Sequence, residues 1–243
     1  MDGRNIGESG ERDGDNGLPF WKRALDLGLI VLALPGWLII GTFVALVVRV
    51  GSVGPVLFRQ QRVGYKGKEF TLYKFRTMHI NAVDDCHREH TRVLIKSAVP
   101  MEKLDSRKDS RLIAFGSFLR ACGLDELPQL LNVMRGDMSL VGPRPCLRYE
   151  YDLYEPWHRR RLDAVPGLTG LWQVSGKNRT TFEEMVLLDI EYARRRSLWL
   201  DLKIIFKTLP ALWGQYCDLR AARPGETAVE TSGLAKSRES YNL

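Results

Sequence analysis

The apolar pattern is strongest near the start of the chain. Residues 27–48 contain no charged side chain, and as a helix they would be about 33 Å long at 1.5 Å per residue. That length is enough to cross a hydrocarbon core roughly 30 Å thick. A secretory signal peptide is the weaker interpretation, because the stretch is too long and follows a long polar tail. The pattern therefore predicts a membrane-associated helical segment over residues 18–50.

A break in this segment bears on how it meets the bilayer. Pro35 and Gly36 interrupt the apolar run, and basic residues flank it, Lys22 and Arg23 before and Arg49 after. Basic flanks favour the cytoplasmic side, and a Pro-Gly pair lets a helix bend back. We therefore expect a re-entrant helical hairpin, with a spanning helix kinked at Pro35 as the alternative.

The remaining pattern predicts an α+β fold that is mainly helical. Short apolar stretches on either side of a turn at residues 64–67 indicate a small β element over residues 56–73. Helical periodicity follows at residues 82–97, 115–122, 126–136, 146–163 and 181–196.

The last periodic segment has an apolar face that is rich in tryptophan. This face lies opposite Asp201, Lys203 and Lys207 and consists of Leu198, Trp199, Leu202, Ile205, Phe206, Leu209 and Trp213. Such an amphipathic helix suits the membrane interface, with packing on the domain core as an equal alternative. We assign residues 51–213 to one folded domain, and the polar residues 1–17 and 214–243 to flexible tails.

Composition adds a partner class and a compartment. The chain has 243 residues, a formal charge of +7 and a pI near 9.3. These values favour polyanionic partners such as nucleic acid, anionic lipid or phosphorylated small molecules. The four cysteines are widely spaced in a chain long enough to fold without disulfides. A reducing, cytosol-facing domain fits this cysteine usage.

Two adjacent carboxylates stand at a predicted helix start. Pro128 is tolerated in a first helical turn, and leucines at helical spacing follow it, so the helix should begin near Asp125. The positive end of a helix favours carboxylates and anionic substrates alike. Asp125 and Glu126 are therefore candidate catalytic residues, with N-capping by Asp125 as the ordinary alternative.

Two further segments offer phosphate-binding groups. In residues 142–145, Gly-Pro-Arg-Pro, Arg144 is fixed between Pro143 and Pro145 on a rigid turn, and its guanidinium suits bidentate phosphate binding. A structural salt bridge is its alternative role. Residues 166–179 form a glycine-rich loop whose backbone amides can approach phosphate, although such a loop is often only a turn. Its polar side chains include Gln173, Lys177, Asn178 and Arg179.

Two other clusters are interpreted as structural. The first consists of His79, Asp84, Asp85, Cys86, His87 and His90, and its spacing fits no familiar zinc site. The second comprises the basic runs at residues 159–161 and 194–196. Such runs are typical of solvated faces, or of surfaces that meet anionic lipid.

Taken in order, these segments resemble those of the monotopic phosphoglycosyl transferases, a family of bacterial sugar transferases. The resemblance runs from Lys22 to Trp213 and rests on several motifs in the same order. They are Lys22-Arg23 with Asp26, residues 54–64, residues 74–78, Asp109 with Arg111, Leu119-Arg120, residues 124–130, residues 142–145 and residues 166–170. The chain departs from the family pattern at Leu34, where a serine usually precedes the proline, and at Gly123, which also replaces a serine.

The resemblance implies a Mg²⁺-dependent membrane enzyme. Asp125 would be the nucleophile of a two-step reaction and Glu126 its partner, with both carboxylates near the metal ion. The donor would be a UDP-sugar and the acceptor polyprenyl phosphate, giving polyprenyl diphosphate-sugar and UMP. This is the first step of exopolysaccharide or O-antigen assembly, at the cytoplasmic face of the bacterial inner membrane. The resemblance also implies substrate-binding roles for Gln60, Arg62, Lys74 and Arg76, in addition to the two segments above.

Two other function classes compete with this one. A non-enzymatic, basic membrane-anchored scaffold would explain the charge and the apolar segment, and a nucleic-acid-binding protein would explain the charge alone. Neither explains the ordered motifs. We therefore predict an enzyme whose partners are the sugar donor, the lipid acceptor and membrane lipid, without nucleic acid. A homo-oligomer is compatible with the sequence.

Overall fold

The computed structural model describes residues 17–79, 85–97, 99–100, 111–176 and 180–221. The α-helices are α1 (Phe20–Gly51), α2 (Asp85–Lys96), α3 (Gly116–Ala121), α4 (Leu130–Arg135), α5 (Arg148–Asp152), α6 (Leu171–Val174), α7 (Phe182–Arg195) and α8 (Leu198–Ala221). The strands are β1 (Leu57–Val63), β2 (Glu69–Phe75), β3 (Ser139–Val141) and β4 (Gly167–Thr169), and 3₁₀ helices occur at Tyr65–Gly67, Leu124–Gln129 and His158–Asp163. The predicted mainly helical α+β class is confirmed.

Two of the predicted helices differ from the structure. The helix predicted at residues 126–136 starts instead as the 3₁₀ turn Leu124–Gln129, and α-helix follows only from Leu130. Pro128 within that turn has no N–H to donate to the helical ladder. The single helix predicted at residues 146–163 is wrong, because α5 ends at Asp152 and a separate 3₁₀ helix begins at His158. Pro156 lies between them and disfavours helical conformation in the residue before it.

The small β element consists of two separate pairs of strands. β1 and β2 form the predicted antiparallel hairpin, with Phe58 opposite Lys74 and Gln60 opposite Leu72. β3 and β4 form a parallel pair in which Ser139 lies opposite Gly167. The sequence did not predict this pair, because a strand of three residues is too short to show an alternating pattern. The main apolar core lies between the hairpin and the C-terminal helices and includes Val63, Trp172, Phe182, Met185 and Val186.

Helix α1 is continuous from Phe20 to Gly51, with Pro35 inside it. The predicted hairpin of two helices is therefore not confirmed. Among the described residues, α1 is the one helix that is long and apolar enough to cross a membrane, judged by length and composition. Its central part exposes large apolar side chains such as Leu32, Ile39 and Phe43.

Both ends of α1 pack on the rest of the protein. At the start, the Lys22 ammonium donates to Tyr192 (2.9 Å) and pairs with the buried carboxylate of Asp201. At the end, Val44 and Val48 are fully buried against the cluster around Phe75. The helix is thus anchored twice on one folded unit.

Helix α8 leaves most of its predicted apolar face exposed: Trp199, Phe206 and Trp213 are exposed by 78%, 72% and 68% of their surface. Asp201, on the opposite face, is fully buried and pairs with Lys22. The helix also continues to Ala221, past the predicted domain boundary at residue 213.

Candidate active site

The two candidate catalytic carboxylates lie in the 3₁₀ helix Leu124–Gln129, hereafter the dyad turn. Asp125 is buried, with 7% of its surface exposed, whereas Glu126 is half-exposed and pairs with Lys74 of β2 at 2.8 Å. The N-cap of the turn is Gly123, whose φ of +69° is left-handed, and no side chain caps the turn. Asp125 is therefore not the N-cap residue of this turn, and the capping alternative is not supported.

The apolar helix α1 contacts the dyad turn directly. The indole Nε1 of Trp37 donates a hydrogen bond of 3.2 Å to the carbonyl of Leu127. Trp37 lies two residues beyond Pro35, in the middle of the predicted membrane segment. The candidate catalytic centre is therefore adjacent to the part of the chain that suits lipid.

Three of the predicted substrate-binding residues lie along one face of the hairpin. Alternate residues of a strand share a face, so Phe58, Gln60 and Arg62 of β1 point to the same side of the hairpin. Lys74 of β2 lies opposite Phe58 and therefore shares this face. Arg62 donates to the Gln60 side-chain oxygen, at 2.7 Å from Nη2. This row of polar side chains starts at Glu126 and leads away from the dyad turn.

The row ends at residues 142–145, hereafter the Arg144 turn. Arg62 Nη1 donates to the carbonyl of Pro145 at 3.3 Å. The pKa of Arg62 is lowered by burial and by the positive charge of Arg144 nearby. Within the part of the chain that the structure describes, no carboxylate lies at ion-pair distance from Arg144, so its alternative role in a salt bridge finds no support there.

Arg76 and Gln173 make hydrogen bonds to the backbone. The Arg76 guanidinium donates to the carbonyls of Ser52 and Val53, both at 2.9 Å, and so holds the end of α1. Gln173 Nε2 donates to Leu168 at 3.0 Å. Their predicted roles in substrate binding remain predictions.

Several sequence predictions fall outside the described residues. They concern Asp109, Lys177, Asn178 and Arg179, the tail residues 1–16 and 222–243, and Asp84 of the histidine cluster. Within the described residues, no group of three or more His, Cys, Asp or Glu side chains is arranged to hold a metal ion.

The glycines of the loop have a structural explanation. The Arg144 turn and β4 approach so closely that a Cβ on Gly167 would lie 2.0 Å from the Gly142 nitrogen, and a Cβ on Gly170 would lie 2.3 Å from the Gly142 oxygen. Gly142 and Gly167 also donate backbone hydrogen bonds across this contact, to Thr169 and Pro143. Close backbone packing therefore requires these glycines, whatever their part in binding phosphate.

Replacing Gly167 with alanine is accordingly expected to destabilise the protein. The added methyl group would force the two backbone segments apart, and overpacking of this kind costs about 1–3 kcal/mol. We expect the melting temperature to fall by roughly 3 to 10 °C. Gly28→Ala is the matched control, because a Cβ at Gly28 meets nothing within 4 Å. Equal melting temperatures for the two variants would contradict the packing explanation.

Sequence reasoning missed one residue of this site. Arg161 was interpreted as part of a solvated basic run, yet it is 2% exposed, while Arg159 and Arg160 beside it are exposed. Its guanidinium donates twice to Asp189 and once to the carbonyl of Arg144. The sequence signal for this buried pair was Asp189 on the next long helix. An aspartate on a helix is too common to identify as the partner of a particular arginine.

The dyad is compatible with a Mg²⁺ ion. Mg²⁺ in nucleotide-dependent enzymes is held by one or two carboxylates together with substrate phosphates, and Asp125 and Glu126 are two carboxylates adjacent in the sequence of the dyad turn. The ammonium of Lys74 occupies one oxygen of Glu126. A metal ion would therefore share Glu126 with Lys74 or displace it.

Comparison with known proteins decides the family. A family model described as bacterial sugar transferase matches residues 18–215. The chain belongs to the bacterial sugar transferase family. The matched region of this sugar transferase includes the dyad turn, the Arg144 turn and both ends of α1.

Curated relatives cover this sugar transferase to different extents. Exopolysaccharide production protein ExoY of Sinorhizobium fredii is 40% identical over 194 residues, which are 79% of this chain and 84% of that protein. Undecaprenyl-phosphate galactose phosphotransferase of Salmonella typhimurium is 43% identical over 155 residues, 64% of this chain and 33% of that protein. UDP-glucose:undecaprenyl-phosphate glucose-1-phosphate transferase of Xanthomonas campestris is 38% identical over 211 residues, 84% of this chain. The match spans 41% of the Xanthomonas protein, so this chain matches less than half of each of the last two.

Proposed function

We propose that this sugar transferase moves a sugar 1-phosphate from a UDP-sugar to polyprenyl phosphate. The observation that carries the proposal is the position of the dyad turn, which contacts the cation of Lys74 on one element and the apolar helix α1 through Trp37 on another. A water-soluble anionic donor and a lipid-anchored phosphate can react only at a site that both of them reach, next to a cation and next to the membrane. The names of two relatives, which refer to undecaprenyl phosphate and to galactose or glucose, support it.

The proposed chemistry has two displacements at one phosphorus. A carboxylate oxygen of Asp125 attacks the phosphorus that bears the sugar, the bond from that phosphorus to UMP breaks, and UMP leaves with the bonding electrons. An oxygen of polyprenyl phosphate then attacks the same phosphorus, and the bond to Asp125 breaks. The carboxylate is regenerated, and the product is polyprenyl diphosphate-sugar.

The proposal also assigns roles to two nearby cations. Lys74 lies beside Glu126, and Arg144 lies at the far end of the polar row on the hairpin. We propose that they bind phosphate oxygens of the donor, since fixed positive charge stabilises the negative charge that develops during transfer. Mg²⁺ held by Asp125 and Glu126 would supply further neutralisation of the diphosphate.

We also propose that α1 enters the membrane and returns to the same side. Both of its ends are anchored on one folded unit, through Lys22 at the start and Val48 at the end, while its centre exposes large apolar side chains such as Leu32, Ile39 and Phe43. A helix that crossed the bilayer would place its ends on opposite sides. The exposed tryptophans of α8 would then lie at the interface of the same leaflet, which is the cytoplasmic leaflet of the bacterial inner membrane in this proposal.

Cysteine labelling tests this topology. In a background with the native cysteines replaced, Ser9→Cys and Lys66→Cys should both react with an impermeant maleimide only after the cytoplasmic side is exposed. The first position precedes α1 and the second follows it. A cysteine placed in a periplasmic loop of a second membrane protein serves as the control. Labelling of Ser9→Cys from the periplasmic side would show that α1 spans the membrane.

A transfer assay tests the function itself. Purified protein is incubated with polyprenyl phosphate, Mg²⁺ and a panel of UDP-sugars that includes UDP-galactose and UDP-glucose, and UMP release is measured. We expect sustained UMP release with at least one donor, and only in the presence of the lipid acceptor. Absence of UMP release with every donor would overturn the proposed function and with it the proposed place at the start of exopolysaccharide or O-antigen assembly.

A further inference from the structure

Two buried arginines hold the backbone of the Arg144 turn. Arg161 Nη2 donates to the carbonyl of Arg144 at 3.2 Å, and Arg62 Nη1 donates to the next carbonyl, that of Pro145, at 3.3 Å. Only 2% of Arg161 and 8% of Arg62 is exposed. Two consecutive carbonyls are therefore each fixed by a guanidinium, which sets the backbone that directly follows the Arg144 Cα.

Arg161 is itself held by buried partners in the helical core. Its Nε and Nη2 donate to Asp189 Oδ2 at 3.0 and 2.5 Å, and its Nη1 donates to the hydroxyl of Tyr154 at 3.0 Å. Asp189 lies on α7 and is also fully buried. The helical core thus fixes the Arg161 side chain, and the hydrogen bond from Arg161 to the Arg144 carbonyl in turn fixes the Arg144 turn relative to that core.

A contribution to stability does not by itself explain the buried Arg161–Asp189 ion pair. Burying two charges removes them from water, and replacing a buried ion pair with well-packed apolar residues is often neutral or stabilising. What a guanidinium provides, and an apolar residue cannot, is a directed hydrogen bond from Arg161 to one particular carbonyl. In this protein that carbonyl belongs to Arg144, the residue proposed to bind the donor.

We propose that Arg161 is a positioning residue for donor binding, acting through Arg144. By holding the Arg144 carbonyl, Arg161 restricts the conformations from which the Arg144 side chain reaches the donor diphosphate. Small misplacements of a binding group have large kinetic effects. The proposal rests on the proposed function of Arg144 and assigns Arg161 no contact with substrate.

Arg161→Lys tests the proposal. Lysine keeps the charge beside Asp189 but lacks the planar fork that reaches Asp189 and the carbonyl together. We expect kcat/KM for the UDP-sugar to fall roughly tenfold, with the KM for polyprenyl phosphate unchanged within about twofold. Arg160→Lys, one residue earlier and exposed, is the matched control and should behave as the wild type.

A double-mutant cycle separates positioning from general destabilisation. If Arg161 acts through Arg144, the variant carrying Arg161→Lys and Arg144→Ala should have the same kcat/KM for the donor as Arg144→Ala alone, because interacting residues are not additive. Additive losses in the double variant, or an equal rise in both KM values in Arg161→Lys, would overturn the proposal. An inactive wild type would overturn the proposed function instead.

A milder variant covers the case in which Arg161→Lys does not fold. Tyr154→Phe removes one hydrogen-bond acceptor of Arg161 and leaves its pair with Asp189 intact. Its kcat/KM for the donor should fall roughly two- to threefold, and this loss should vanish when Arg144 is alanine. A loss of the same size in both backgrounds would contradict action through Arg144.

Discussion

Replacing Asp125 with asparagine is expected to abolish transfer while leaving the fold intact. An amide cannot attack phosphorus, so kcat should fall by at least about 10³-fold, as when other enzymes lose a nucleophile. Asparagine has nearly the same shape as aspartate and keeps a side-chain oxygen that can accept hydrogen bonds, and the N-cap of the dyad turn is Gly123, not Asp125. The melting temperature should therefore stay within a few degrees of the wild type. UMP release and thermal unfolding measure the two effects.

The matched control is Asp163→Asn, at an exposed aspartate of another 3₁₀ helix. It makes the same chemical change away from the dyad turn and should keep full turnover. Wild-type turnover in Asp125→Asn would remove Asp125 from the chemistry. Wild-type polysaccharide production by cells that carry only this variant would favour the non-enzymatic scaffold.

The second large effect is expected at Arg144. Arg144→Ala should lower kcat/KM for the UDP-sugar by about 100-fold, because a fixed cation that binds the reacting phosphates contributes on that scale. The fold should tolerate the change, since the side chain is half-exposed and no carboxylate among the described residues pairs with it. Lysine should restore little activity because it lacks the planar fork.

Arg160→Ala is the control for this experiment, since it removes an exposed arginine that lies outside the Arg144 turn. It should retain wild-type kcat/KM for the donor. A similar loss in both variants would indicate a general effect of positive charge on donor attraction. Full activity of Arg144→Ala would exclude Arg144 from donor binding.

The sequence predicted what depends on neighbours along the chain. The apolar run of α1, the β1–β2 hairpin and the adjacent carboxylates of the dyad turn all have local signatures, namely length, alternation around a turn and a proline in a first helical turn. The contact of Lys74 with Glu126 joins two such elements across 52 residues. The ordered motifs predicted that both residues belong to one site, although not which atoms meet.

What the sequence did not predict depends on distant partners. The local pattern placed Asp201 only opposite the apolar face of the last helix, whereas the structure buries it in a pair with Lys22, 179 residues away. Arg161 has the same charge as its exposed neighbours Arg159 and Arg160, and it differs from them through distant partners such as Asp189 and the carbonyl of Arg144. Local sequence pattern assigns a charged residue to the surface unless its partner is known. Buried ion pairs between residues far apart in the sequence are therefore not predicted.

The role of Asp125 as the nucleophile is tested most directly by the intact mass of the protein incubated with Mg²⁺ and a UDP-sugar that supports transfer, without the lipid acceptor. We expect release of about one UMP per enzyme and a mass increase equal to one sugar phosphate, which maps to the peptide containing Asp125 and is absent from Asp125→Asn. An enzyme that turns over with the acceptor present, yet shows no such adduct when the donor-only reaction is trapped, would contradict this role and favour direct attack by the lipid phosphate.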